Sequence, residues 1–522
     1  MSLASNDLTD LHYYFPSTSC DPRTVSVDCC IYGGNSAGMA AAVTATRLGL
    51  SVVVVEPSAH LGGLSAGGLG NTDIGNKHAI GGLSREFYRQ VGRHYEVEEE
   101  WRFEPQVAES IFEQWVEEHR FTVFKRSFLA EIRMEGNQLK ALVLESGLTI
   151  QARIFLDCSY EGDLLARAGV SYTVGREANA VYGETLNGVQ VRDKHQFDYA
   201  VDPYVVEGVP GSGLLPGIES SGPLPLGSGD HRVQAYNFRM CLTQRDDIRV
   251  PFTRPEGYDD AWYVLLARYL AGGWNENFRK FDLLRGNKTD TNNHGPVSTD
   301  WIGQNHDWPE ANYARREQLF QGHVRYQQGL FWFLTQDPRV PRSLRESMQS
   351  WGLAADEFVH SGHWPHALYV REARRMVSDW VMTEHECRGE RRVPDAIALA
   401  AYTMDSHNCR RFVQEGRVWN DGDLQVAGFP PYSISYRSVI PKRGECGNLL
   451  VPVCLSASHI AYGSIRMEPV FMILGQSAAT AAFLALKNKT TVQDLAYDEL
   501  KSLLLTQGQI LELNTDEAVQ VV

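Results

Sequence analysis

Four stretches of this chain carry side chains that could hold an anion or move a proton. The run from Ser456-Ala457-Ser458-His459 to Arg466-Met467-Glu468-Pro469 puts a histidine and an arginine in a polar link, and Pro469 suits the first position of the helix that follows. Lys288-Thr289-Asp290-Thr291-Asn292-Asn293-His294 is densely polar, and His294 reads either as a proton acceptor or as part of a satisfied turn. In Asp405-Ser406-His407-Asn408 the histidine is a candidate base, while Asp405 and Asn408 could instead cap a helix. Arg371, Arg374 and Arg375 stand at i, i+3 and i+4, so a helix would gather them on one face. Such a face could anchor a carboxylate or sugar oxygens, or pair with acids at a solvated surface. The catalytic candidates are therefore His459, His294, His407 and Arg371. Asp157 and Asp163, at the start of an expected helix, read as caps for free N–H groups. No His, Cys and carboxylate group shows metal-ligand spacing, so no metal site is expected.

These groups need a frame, and the clearest element lies near the start. Residues 25–32 are apolar and β-favouring, Gly33-Gly34-Asn35-Ser36-Ala37-Gly38 follows, and a run of small residues leads to Leu48-Gly49. Residues 51–55 form a second apolar run closed by Glu56. Strand, tight turn, helix and strand make a βαβ unit, whose helix N-terminus can hold a diphosphate on backbone N–H groups. Gly33 would make the turn and Gly38 would let helix and sheet pack, but Asn35 replaces the middle glycine of GxGxxG. Glu56 lies 18 residues after Gly38, where a carboxylate accepts from ribose hydroxyls and repels a 2′-phosphate.

Pro57-Ser58-Ala59-His60-Leu61-Gly62-Gly63 comes next, then Gly67-Gly68-Leu69-Gly70. An acid followed shortly by Gly-Gly is the pattern of chains that bind FAD extended across the domain. The strand-then-helix signature returns near Asn448, and a helix N-terminus there would bring backbone amides around Arg466 and Met467 to the pyrimidine end of a flavin. The expected cofactor contacts are Gly33, Gly34, Asn35, Ser36, Ala37, Gly38, Glu56, Pro57, Gly62, Gly63, Leu64, Arg466 and Met467.

From Val27 to about Leu486 the sequence resembles the FAD-dependent oxidoreductases often labelled xanthan-lyase-like, within the glutathione-reductase-type and fumarate-reductase-type flavoproteins. Further motifs that carry the resemblance are Asp157-Cys158-Ser159-Tyr160-Glu161-Gly162-Asp163, Val174-Gly175-Arg176-Glu177, Tyr236-Asn237-Phe238-Arg239, residues 288–300 and Tyr369-Val370-Arg371-Glu372-Ala373-Arg374-Arg375. The resemblance implies bound FAD, and it makes Asn35 ordinary, because a small polar residue commonly stands there. In fumarate-reductase-type relatives a histidine near the offset of His459 contacts substrate, whereas the arginine that follows it there falls nearer Tyr462 here. The spacing of His60 and His78 differs from that of covalently flavinylated succinate dehydrogenases, so non-covalent FAD is expected.

With 522 residues, 43% hydrophobic and 22% charged, the chain has room for several domains and no biased tract. A net charge of −15 disfavours unspecific binding to nucleic acid or anionic lipid. The apolar stretch 469–486 is broken by Gln476, Ser477 and Thr480 and reads as a buried helix, so no membrane span is expected. Nine cysteines without a CxxC pair suit a reducing compartment. Residues 1–22 lack a basic stretch followed by an apolar one, and the cytoplasm is the expected location.

The expected fold is α/β: a Rossmann-like FAD-binding domain built from both chain ends, 24–190 and 431–490, around an inserted substrate or cap domain, 191–430, with a C-terminal helix and tail at 491–522. The middle is expected to open on an irregular Gly, Pro and Ser-rich connection and to be mainly helical over 259–382. The reading is an FAD-dependent dehydrogenase or oxidase that passes hydride between flavin N5 and a small polar substrate, a sugar-derived alcohol or acid. The electron acceptor and oligomeric state leave no mark in the sequence. The alternatives are reduction of an activated double bond, or FAD bound without turnover.

Overall fold

A computed structural model describes residues 11–18, 20–276 and 280–513. Its centre is a seven-stranded sheet of β1 (Thr24–Tyr32), β2 (Val52–Val55), β3 (Thr122–Phe124), β4 (Leu129–Glu135), β5 (Gln138–Leu144), β6 (Thr149–Asp157) and β7 (Leu449–Leu450). In space the order is β3-β2-β1-β6-β5-β4, and β7 pairs with β6. β3, β2, β1, β6 and β7 run parallel, with Cys29 opposite Val52 and Tyr32 opposite Asp157, whereas β5 and β4 extend the sheet antiparallel.

The alternation of side chains along each strand divides the apolar residues between two cores. Cys29, Ile31, Val52, Val54, Ile154 and Leu156 face one, and Cys30, Tyr32, Val53, Val55 and Phe155 face the other. Burial on both faces is what a central parallel strand requires.

The first core is roofed by helices. α1 (Ser36–Arg47) follows β1, and α2 (Gly63–Ala66), α3 (Gly82–His94) and α4 (Pro105–His119) lie between β2 and β3. α5 (Asp163–Arg167) follows β6 and packs its Leu164 and Leu165 into the opposite core. A third core belongs to the middle of the chain. It gathers Tyr236, Phe238, Leu266, Trp308 and Trp364 around α6 (Tyr313–Gln336), together with Leu11 from the N-terminal segment. Residues such as Ile397, Met404, Ile434 and Val439 pack instead into the first core.

The chain end closes that core with α7 (His459–Ile465) and α8 (Glu468–Asn488). α8 is long and apolar enough to cross a membrane, yet 89% of that stretch is buried within the protein, as expected for a core helix. It lies directly on α1, where a Cβ on Gly475 would overlap the carbonyl oxygen of Ala37.

Three local expectations are corrected. Residues 369–374 lie in no helix or strand, and Arg375–Met376 form a strand paired with Tyr172–Thr173, because backbone bonds of this stretch go to neighbouring segments such as Asn237. Among the described residues of 259–382 the α-helices are Val264–Ala271, α6 and Arg342–Gln349, and Gly272-Gly273, Pro296, Pro309 and Pro365 interrupt the rest. The apolar run 449–455 forms a ladder only at β7, since Pro452 lacks an N–H and Val451 bonds to Val439 instead.

The α1–α8 contact sets a stability test. Helix propensity alone would favour Gly475→Ala by up to about 1 kcal/mol, but overpacking against rigid backbone costs roughly 1–3 kcal/mol. Gly475→Ala should therefore lower the urea midpoint, and an unchanged or raised midpoint would show that the two helices do not meet this closely.

Candidate functional site

The turn after β1 is built for close approach. Gly33 has φ +102°, and a Cβ there would lie 2.7 Å from the Cys158 carbonyl carbon and Ser159 nitrogen at the end of β6. A Cβ on Gly38 would overlap the Gly33 oxygen. Asn35 caps α1 by accepting from the Gly38 amide at 3.1 Å, and its Nδ2 donates to the Cys158 oxygen at 2.5 Å. That double role explains an asparagine where a dinucleotide fingerprint has its middle glycine. The first-turn amides of Ser36 and Ala37 belong to the positive end of the helix.

Glu56 ends β2 and accepts from the Gly34 amide at 2.5 Å and the Ser58 amide at 2.7 Å. Burial pushes its carboxyl up, and the bonds from Ser58 and Gly34 only partly offset this. Gly62 donates to the Gly34 oxygen at 2.8 Å, which draws the Gly-Gly turn and α2 to the same place. Gly63 lies under Tyr160, whose hydroxyl would overlap a Cβ there and accepts from the Leu64 amide at 3.0 Å. Gly33, Asn35, Glu56, Pro57 and Gly63 thus line one groove, with Tyr160 and Trp308 across it. A turn open to phosphate and a carboxylate at the ribose position fit a dinucleotide.

His60 also lines this groove. Its ring stacks on His366 at 3.7 Å, and its Nδ1 meets Glu109 at 2.7 Å. His78 lies in the turn Lys77–Ala79.

At the start of α8 the structure adds a residue that sequence reasoning missed. The Glu468 carboxylate accepts from Ser36 Oγ at 2.5 Å, Tyr160 Oη at 2.7 Å and Ser65 Oγ at 3.4 Å, joining α1, α2 and the β6 exit. Burial pushes its carboxyl up to about 7. The Arg466 and Met467 amides do not face outward as expected. They donate to the oxygens of Tyr462 at 3.0 Å and Ile465 at 2.7 Å, because Arg466 closes the end of α7.

The Arg466 side chain enters a buried charged cluster around Tyr369. Three guanidinium groups surround the Tyr369 ring, with Arg371, Arg466 and Arg239 at 4.7, 5.6 and 5.8 Å from its centre. Each has its acid: Asp290 takes Arg239 through two 2.7 Å bonds, Asp300 meets Arg371 at 2.9 Å, and Asp405 meets Arg466 at 2.8 Å. His407 bridges two of these acids, with Nδ1 2.8 Å from Asp300 and Nε2 3.4 Å from Asp405. Burial pushes both carboxyls up, but the charges of Arg371 and His407 on Asp300, and of His407 and Arg466 on Asp405, outweigh it and hold both below the usual range. The Nε–H groups of Arg371 and Arg466 are buried without a hydrogen-bond partner.

His459 joins this cluster at one remove. Its Nδ1 meets Glu372 at 2.7 Å and its Nε2 meets Ser406 at 3.1 Å, while Gln234 ties Glu372 to Arg466. Burial drives its ring down to about 3, so it stays neutral. His294 is not brought in, since its ring lies 6.2 Å from that of Trp274 and its Nε2 faces Glu276 at 3.4 Å. Lys288 is held by Glu104, Asp356 and Glu357 at 2.7, 2.9 and 2.7 Å.

The three arginines of the 371–375 run separate, since no helix gathers them. Arg374 pairs with Asp163 and Glu310 at 2.8 Å each, and Arg375 pairs with Glu372 and Glu177. Asp405 lies in the strand Met404–Ser406 and caps no helix. Asp157 does cap α5, accepting from the Leu165 amide at 2.8 Å, whereas Asp163 pairs with Arg316.

An open cleft of about 800 Å³ is lined by Asn71, Thr72, Trp101, Tyr402 and Phe429. The Tyr402 hydroxyl donates to Asp73 at 3.0 Å, and the Asn71 amide donates to Asp290 at 3.0 Å. The charge of Asp73, with burial and Asp405 behind it, raises the Tyr402 hydroxyl well above its ordinary range. Among the described residues no group of His, Cys, Asp and Glu could hold a metal ion, and all nine cysteines are free.

A sequence profile of the family described as FAD dependent oxidoreductase matches residues 28–504. No curated protein matches the chain. Similar solved structures include a flavin-containing monooxygenase from Stenotrophomonas maltophilia, at 18% identity over 30% of this chain and 43% of that one, TM-score 0.20. L-amino acid deaminase from Proteus vulgaris is similar at 12% identity over 32% of this chain and 55% of that one, TM-score 0.24. L-proline dehydrogenase from P. horikoshii is similar at 16% identity over 30% of this chain and 25% of that one, TM-score 0.18. The matched part therefore covers about half of those structures or less.

Glu468 gives a pH test. An acid raised from 4.5 to about 7 in the folded protein keeps its proton there while the unfolded chain has lost it. Its contribution therefore falls as pH rises from 4.5 to 7, by on the order of 3 kcal/mol. In urea unfolding of the apoprotein, Glu468→Gln should lose much less stability than the wild type across that window. Parallel pH profiles would mean that Glu468 is already ionised in the folded protein.

Proposed function

The chain belongs to the family of FAD dependent oxidoreductases, and on that basis we propose that it passes hydride between the flavin and a small polar substrate, a sugar-derived alcohol or acid, enclosed by the inserted middle of the chain. When bound, FAD supplies a centre that takes or returns a hydride at N5. The Gly33–Gly38 turn and the start of α1 hold the diphosphate, and Glu56 accepts from the ribose hydroxyls and repels a 2′-phosphate.

One observation carries the substrate reading: a histidine bridging two buried carboxylates beside two guanidinium groups whose Nε–H donors have no partner. Arg371 and Arg466 orient substrate oxygens through those donors, and Tyr369 fixes both guanidinium planes. His407 holds or takes the substrate hydroxyl proton at Nε2, and Asp300 on Nδ1 orients the ring. Substrate reaches this place along the cleft past Tyr402, and burial of the cluster excludes bulk water. His459 acts as a positioning residue, holding Ser406 and Glu372. Nine free thiols suit a reducing compartment, and we place the protein in the cytoplasm.

Anaerobic mixing of the FAD-loaded protein with sugars, polyols and hydroxy acids should bleach the oxidised flavin bands with at least one of them. A positioned base contributes about 10²–10⁴-fold, so His407→Ala should slow that bleaching by a similar factor while FAD stays bound. Equal rates in the variant and wild type would remove His407 from the reaction. Bleaching by none of these compounds, with re-oxidation of reduced flavin by an activated alkene, would favour the reductase reading.

A further inference from the structure

The segment before β1 carries no role in the reactions above, yet it is tightly fastened over the dinucleotide groove. Glu317 of α6 accepts from the amides of Tyr13 at 2.7 Å and Tyr14 at 3.0 Å, and its other oxygen meets His12 Nδ1 at 2.7 Å. Gln321 donates to the Leu11 oxygen at 2.8 Å, Arg316 donates to the Tyr13 hydroxyl at 3.1 Å, and the Tyr14 hydroxyl bonds to Glu145 at 2.9 Å. Leu11 is buried in the core of the middle of the chain, and the Tyr13 ring packs edge-on against Trp308 at 4.8 Å. His12 and Tyr13 face the same space as Glu56, Ser58 and His60, which is the ribose end of the site.

The space they enclose is about 110 Å³. Sites for ligands of this class run to roughly 300–1,000 Å³. The groove must therefore widen to admit the cofactor, and the N-terminal segment is one wall with no sheet or helix of its own, held instead by side-chain bonds.

We propose that residues 11–18 form a strap that opens to load FAD and closes over its adenosine half, so that Glu317 is the latch and the strap sets how fast non-covalent FAD leaves. The proposal rests on FAD binding by the family and is independent of which substrate is oxidised. Closure buries the adenosine between the strap, the turn Glu56-Pro57-Ser58 and Trp308, and release requires the three contacts to Glu317 to break together.

The test follows FAD release rather than turnover. FAD-loaded full-length protein is diluted, and the rise of free flavin fluorescence is recorded for the wild type, Tyr13→Ala, Glu317→Ala and the milder Glu317→Gln. Tyr13→Ala and Glu317→Ala should release FAD at least tenfold faster and Glu317→Gln by a smaller factor, with the absorption bands of the still-bound flavin unchanged. Release within twofold of the wild type in both alanine variants would overturn the proposal. If an alanine variant fails to fold, Glu317→Gln and wild-type release at equal rates would do the same. Because no substrate is added, failure of the hydride reaction leaves this result readable.

Discussion

Burying charge is the constraint that organises this protein. A lone ion in the interior costs several kcal/mol after relaxation, and Arg239 and Arg371 from the middle of the chain and Arg466 from its closing part are buried around a single tyrosine. Their acids come from distant segments: Asp290 and Asp300 precede α6, and Asp405 lies in a strand that packs near α7. Satisfying these charges therefore fixes where the middle of the chain sits on the nucleotide-binding sheet. Lys288 repeats the pattern, since Glu104 from the start of α4 meets Asp356 and Glu357 around its ammonium group.

The second constraint is steric. α1 and α8 come from opposite ends of the sequence and meet where a glycine faces a backbone carbonyl. That approach lets Glu468 reach Ser36 and Ser65, so the start of α1, α2 and the closing helix are joined through one carboxyl.

The parts of this design governed by local rules were legible in the sequence. The βαβ unit follows from strand-length apolar runs and a glycine turn, and Glu56 follows from its spacing. The core character of α8 follows from Gln476, Ser477 and Thr480 within an apolar run. What escaped depends on contacts far apart in the chain. Arg371, Arg374 and Arg375 have helical spacing, yet each is drawn to different acids, and the backbone forms no helix there. Tyr369 and Arg239 were visible only as members of family-like motifs, because nothing local marks a tyrosine as the hub of three guanidinium groups. Glu468 looks like an ordinary first-turn acid, and only the packing of α8 on α1 shows its partners.

The pairing around Tyr369 has a consequence for how the protein can change over generations. Removing one member of a buried pair strands the other, at roughly 3–5 kcal/mol, a large part of the whole margin by which a fold survives. Arg239 and Asp290 can thus be exchanged only by double replacement, whereas Asp300 and Asp405 keep His407 when Arg371 or Arg466 is lost. Change has an easier course at the surface of the open cleft, through Trp101, Phe429 and their neighbours, while the charged interior is inherited as a block.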